Sequence, residues 1–192
     1  MDYRIEISPL SKWRDSRGES IKKQIKDFLK LEVDTVRTRD VYTVMAGITP
    51  EQAEQIAREL ANPVLQRGIV GETKPEPGSF NYLVVVGFKP GVTDNVGRTA
   101  CEAVSDIIGR KLTAAENVFS SIEYMFSDKN LNDDTVGRIA RDLLANALIE
   151  TIRIFSAAEI AAKGIPANLP LVTGSGVGEV RQYDLEVSDA QL

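Results

Sequence analysis

The chain is predicted to be an α+β protein built from two tandem copies of one β-α-β-β-α-β unit. Three observations lead there: landmark residues recur in the same order, strand-like and helix-like apolar patterns alternate in the same sequence twice, and a polar Pro- and Gly-containing stretch separates the two runs. Tyr3, Asp15 and Gly18 return at a constant spacing as Tyr82, Asp94 and Gly97, and the apolar set Ile21, Ile25, Phe28, Leu29 returns as Ala100, Val104, Ile107, Ile108. Farther along, Tyr42 answers to Tyr124. The run from Ile56 to Leu65 matches that from Ile139 to Ile149 at six of ten positions once a one-residue gap is allowed.

Within the first unit, residues 3–8 alternate apolar and polar with period two, as a strand with one buried face does. Ser16 with Glu19 three residues later reads as a capping box, opening a helix whose apolar stripe is Ile21, Ile25, Phe28 and Leu29. Two β-rich runs follow, 33–38 and 41–48. Thr49, Pro50 and Gln52 then read as N-cap, first-turn proline and box partner of a second helix, which Asn62-Pro63 stops before a strand over 64–70. This order is the ferredoxin-like pattern, an antiparallel sheet with both helices on one face.

The second unit repeats the order, with strand 80–88, helix 95–108, strands near Val118 and Tyr124, helix 133–144 and strand 148–155. The division is accordingly 1–71 for the first unit, 72–79 for the linker, 80–164 for the second unit and 165–192 for a connector. The strand at Tyr82–Val86 is apolar on both faces, so it needs two covers. The sheet of the other unit is the simplest second cover, which gives an intrachain pseudo-dimer.

Composition excludes several function classes. Of 192 residues, 43% are hydrophobic and 27% charged, ordinary for a packed soluble fold, and 23 Lys and Arg against 28 Asp and Glu give a net charge of −5. That balance argues against nucleic acid as a partner. No apolar run approaches a membrane span and the first residues carry no signal-peptide pattern, so no membrane partner and a cytoplasmic location are expected. Cys101 is the only cysteine and there is no histidine, which removes intramolecular disulfides, His-based nucleophile pairs and most zinc sites.

The most motif-like stretch is residues 89–100, where glycines and an Asp-Asn pair precede a helix. Asp94, Asn95, Gly97 and Arg98 are the candidate substrate or domain-interface turn, since backbone N–H groups and Arg98 could meet an anion there. The alternative is a strand-to-helix turn with Asn95 as N-cap. The Gly-rich run at 173–180 has neither P-loop nor dinucleotide-fold spacing and reads as a connector. Asp133 and Asp134 complement a helix N-terminus, and the repeated tyrosines read as packing.

Residues 82–104, with Asp94 and Gly97, and residues 138–154, with Leu144, Ala145, Asn146, Ile149 and Glu150, resemble the PurS subunit of phosphoribosylformylglycinamidine synthase and the PurS-like region fused to its long single-chain relatives. The resemblance spans roughly 3–160 and is strongest in the second unit. The first unit departs from it at 8–18 and at Leu65-Gln66. The family converts formylglycinamide ribonucleotide, ATP and glutamine to the amidine in purine biosynthesis. The resemblance implies a non-catalytic structural and assembly region of this ATP-dependent C–N ligase, bridging a synthase and a glutaminase subunit or domain. It implies no catalytic residue and no cofactor in this stretch, with ATP and Mg²⁺ belonging to the complete enzyme and downstream synthase domains following 192. A homo-oligomer is left open. The rival from another class is an ACT-like module that binds a small regulatory ligand between two such units. An RRM pair, the third option, lacks its stacking aromatics and basic strand.

Overall fold

The computed structural model of the chain describes residues 2–71 and 80–172. The expected linker at 72–79, the Gly-rich run at 173–180 and the end of the connector lie outside the described residues. The fold is α+β, with β1 (Asp2–Pro9), α1 (Ser16–Gln24), β2 (Thr35–Met45), α2 (Pro50–Leu60), β3 (Gln66–Val70), β4 (Tyr82–Phe88), α3 (Asn95–Ile108), β5 (Asn117–Ser127), α4 (Asp133–Ile139), β6 (Glu150–Ser156) and α5 (Ala157–Lys163). The six strands form one antiparallel sheet in the order β3-β1-β2-β5-β4-β6.

Each half therefore has three strands where four were expected. The β-rich runs 33–38 and 41–48 are a single strand of 11 residues, as are the runs near Val118 and Tyr124. The charges between the first two runs do not make a turn, because Arg39 pairs with Glu123 directly across the ladder and Asp40 is held by Arg17. These two long strands join the halves edge to edge over 35–45 and 117–127. The register centres on Asp40 facing Ile122, with Tyr42 opposite Ser120 and Tyr124 opposite Thr38.

Alternation sends Ile5, Ile7, Val36, Val44, Val84, Val86, Val118 and Phe126 to one face, where α1 to α4 cover them. Both clusters there mix the halves. Ile21 and Ile25 pack with Val136, Ile139 and Leu144, and Ala53, Ile56 and Ala57 pack with Ala100 and Val104. Isoleucine, valine and leucine side chains contribute about 1.5–3 kcal/mol each when fully buried, so each half supplies part of the apolar burial of the other. A surface clamp adds to the joint. Arg110 donates to both Glu116 carboxylate oxygens at 2.8 Å and to the Gly47 carbonyl, while the Gly47 N–H donates to Glu116 at 2.7 Å. These bonds hold the Glu116 carboxyl well below the usual range, Arg110 being the largest cause.

The second cover of β4 is not the other half's sheet. Leu83 and Val85, on the face opposite α1 to α4, are sealed by Phe80, by Ile160 of α5 and by Ile165 just beyond it. The helix α5 is opened by a capping box of Ser156 and Glu159. It supplies apolar surface that an edge-to-edge joint leaves uncovered.

Candidate functional site

The turn at 94–98 is built from Asp94 outward. Asp94, not Asn95, is the N-cap of α3, and its carboxylate accepts from the Gly97 N–H at 2.7 Å, the Ser120 N–H at 2.6 Å and the Ser120 hydroxyl at 2.8 Å. A carboxylate has two oxygens to offer where an asparagine has one, so it can cap the helix and tie it to β5 at once. Gly97 is required by the closeness that results: a Cβ there would crowd the Val118 carbonyl.

The first half repeats the device. Asp15, not Ser16, caps α1, accepting from the Gly18 N–H at 2.8 Å, the Thr38 hydroxyl at 3.0 Å and the Thr38 N–H, and a Cβ on Gly18 would run into the Val36 carbonyl. Asn62 and Asn146 form a second matched pair. The side chain of each accepts from the N–H two residues on, at Val64 and Leu148, and the backbone N–H of each donates to the side chain four residues on, Gln66 or Glu150. The repeated motif residues thus make the same local bonds twice.

This arrangement divides the candidate residues. Asp94 and Arg98 line a cavity of about 250 Å³ with Val92, Cys101, Asn117 and Pro170, smaller than the ~300–1,000 Å³ usual for ligand pockets. Asn95 lines a separate apolar groove with Tyr42, Leu60 and Val96. Both Asp94 oxygens are spent on the protein. Cys101 is half-buried, its thiol donating to the Asn117 amide oxygen and accepting from the Val118 N–H, both at 3.2 Å. Burial pushes this thiol above its ordinary value of 9.0. Iodoacetamide should therefore label Cys101 at least about ten-fold more slowly in the native chain than in urea at pH 8, the native rate rising steeply only at higher pH as the thiolate forms. Equal rates in the two states would refute this account of the thiol.

Sequence reasoning missed the largest polar assembly. On the face away from α1 to α4, Arg4 binds Glu6 at 2.7 Å and Glu123 at 2.8 Å, and Arg39 binds the same two glutamates at 2.5 and 2.6 Å. The four side chains close a ring across β1, β2 and β5. Glu123 is 0% exposed and Arg39 only 9%. Burial opposes the Arg4 charge, and Glu123 and Glu6 outweigh it, so the Arg4 pKa is raised. Nearby Arg153 is lowered by burial, with Glu123 opposing and Arg4 reinforcing the shift. Its guanidinium donates to the Ala167 carbonyl at 3.2 Å and the Asn168 amide oxygen at 3.3 Å, drawing the segment after α5 across the sheet.

Glutamates pinned between two guanidinium groups and closed to solvent are placed to hold strands together rather than to meet substrate. Among the described residues, no group of three or more Cys, Asp or Glu is placed to hold a metal ion, and no helix is long and apolar enough to cross a membrane.

No protein-family model matches the chain, and no curated protein matches it by sequence.

Proposed function

We propose that the chain is the PurS-like structural and assembly region of phosphoribosylformylglycinamidine synthase. In this reading its halves are copies of one duplicated unit, a form of the ferredoxin-like pattern in which the two middle strands run together, and the chain is an intrachain pseudo-dimer. The observation that supports duplication best is the matched pair of Asp caps. Asp15 with Gly18 and Thr38, and Asp94 with Gly97 and Ser120, make equivalent bonds to β2 and β5. The register supports it too, since Tyr42 and Tyr124 stand at mirrored positions about the Asp40 and Ile122 pair.

The step from duplicated fold to synthase rests on the motif resemblance at 82–104 and 138–154. In this role the chain bridges the synthase domains and a glutaminase, and it does no chemistry itself. Glutamine hydrolysis needs an activated nucleophile, typically Cys with a His base, and the sequence has no histidine. Its single thiol is half-buried with a raised pKa. ATP and Mg²⁺ would be bound by the downstream domains, where carboxylates and a phosphate-cradling loop are required.

The test is turnover of formylglycinamide ribonucleotide with MgATP and ammonia, measured with this chain alone and with a polypeptide carrying the synthase domains added. Turnover is expected only from the mixture. Activity of the chain alone, or no interaction with synthase domains by sedimentation, would overturn the proposal. An ACT-like module would instead show a concentration-dependent rise in melting temperature with a specific amino acid.

A further inference from the structure

A cleft of about 510 Å³ opens where β1 ends and the chain turns toward α1, lined by Lys12, Trp13, Arg14, Arg17, Arg39 and Leu65. Four of these are cationic. The acidic side chains on the same wall are already engaged, Asp15 by Gly18 and Thr38, and Asp40 by a two-pronged bond to Arg17 at 2.7 and 3.1 Å. Lys12 and Arg14 are exposed and have no carboxylate partner among the described residues, and the Lys12 ammonium sits 5.6 Å from the Trp13 ring centre. Arg39 is buried with its Nη2 unpartnered, its other nitrogens being spent on Glu6 and Glu123. A buried guanidinium nitrogen without a protein acceptor, on a residue that lines the cleft, is a donor that a ligand oxygen can satisfy.

The other half acts as an internal control, a comparison that rests on the duplication proposed above. Matched on the Asp caps and on β2 and β5, the positions of Lys12, Trp13, Arg14, Arg17 and Arg39 are held there by Gly91, Val92, Thr93, Val96 and Ser121. The Asp-capped turn forms in both halves, so the cations and the indole are not needed to build it.

We propose that this cleft binds a small phosphomonoester with a planar or sugar body. The dianionic phosphate meets Arg14, Lys12 and the N-terminal N–H groups of α1, the fork geometry of arginine suiting phosphate oxygens. The body lies against Trp13, which is 48% exposed, and Leu65. The volume falls in the range of small-ligand sites.

Trp13 is the only tryptophan in the chain, so its fluorescence reports this cleft alone. The chain would be titrated with inorganic phosphate, ribose 5-phosphate and AMP, with adenosine as the uncharged control and a glutamate-rich peptide as competitor. A saturable change with AMP, weakened by added salt and absent with adenosine, is expected. Lys12→Ala with Arg14→Ala should weaken it at least about ten-fold. Both side chains are exposed, and an unchanged melting temperature would show that the double variant still folds. Equal responses to adenosine and AMP, no response to any of the three phosphates, or undiminished affinity in the double variant would overturn the proposal. A response to the acidic peptide that AMP fails to displace would overturn it in favour of a peptide-docking surface. No synthase domain enters the experiment, so its failure is separate from failure of the assembly role.

Discussion

Glu123→Ala lowers the stability of the chain by about 3–5 kcal/mol, the usual consequence of removing one member of a buried ion pair. Glu123 receives bonds from both Arg4 and Arg39, and the loss leaves the half-buried Arg4 and the buried Arg39 sharing Glu6 alone. The penalty is the uncompensated charge rather than the net worth of the ring. A variant with Arg4→Met, Glu6→Leu, Arg39→Met and Glu123→Leu together should recover most of it, since well-packed apolar replacements of buried ion groups are often neutral. Urea unfolding at low and high salt checks both statements. A loss under about 1 kcal/mol that shrinks further with salt would place the ring with ordinary surface pairs.

Asp94→Ala costs about 2–4 kcal/mol, and Asp15→Ala a similar amount. Loss of an N-cap alone is worth about 0.5–2 kcal/mol, and here the same change strands the Ser120 N–H and hydroxyl, or the Thr38 N–H and hydroxyl, at a half-buried strand. Asn95→Ala, one residue on, should be close to neutral, because Asn95 is exposed and its side chain caps nothing. Equilibrium unfolding of the three variants decides the matter. If Asp94→Ala kept its stability, the capping account would fail.

What could be read from the chain was what short-range chemistry controls. Thr49, Pro50 and Gln52 form the expected capping box, α3 spans the expected residues, and Asp94 and Gly97 of the candidate motif bond to each other at the helix start. Three features did not show in the local pattern. Phe28, expected on the buried stripe of the first helix, is 73% exposed because Ile25–Leu29 forms a π-helical turn that breaks the 3.6-residue period. The second helix of the later half ends the same way, over Ala140–Leu144. Arg39 and Asp40 looked like a break between strands because their partners lie 84 and 23 residues away along the chain. Arg4 and Glu6 alternate with Ile5 and Ile7, and alternating charges on a strand ordinarily face water. Only the placement of β5 beside β2 turns that polar row inward. The candidate turn was legible as a motif and its role was not, since Ser120 lies on a strand that no local pattern ties to Asp94.

The ring also decides which halves can join. If two first halves met along their long strands in the observed register, each Arg39 would face Val41 instead of Glu123, and four arginines would share two glutamates. Two second halves joined the same way would bury a pair of Glu123 carboxylates with neither Arg4 nor Arg39 to answer them. Each self-pairing strands buried charge of one sign, whereas the mixed pair neutralises it. A chain whose halves are joined in this way has lost the freedom to exchange like for like. A first half that meets the first half of another copy therefore finds no neutral partner for its ring.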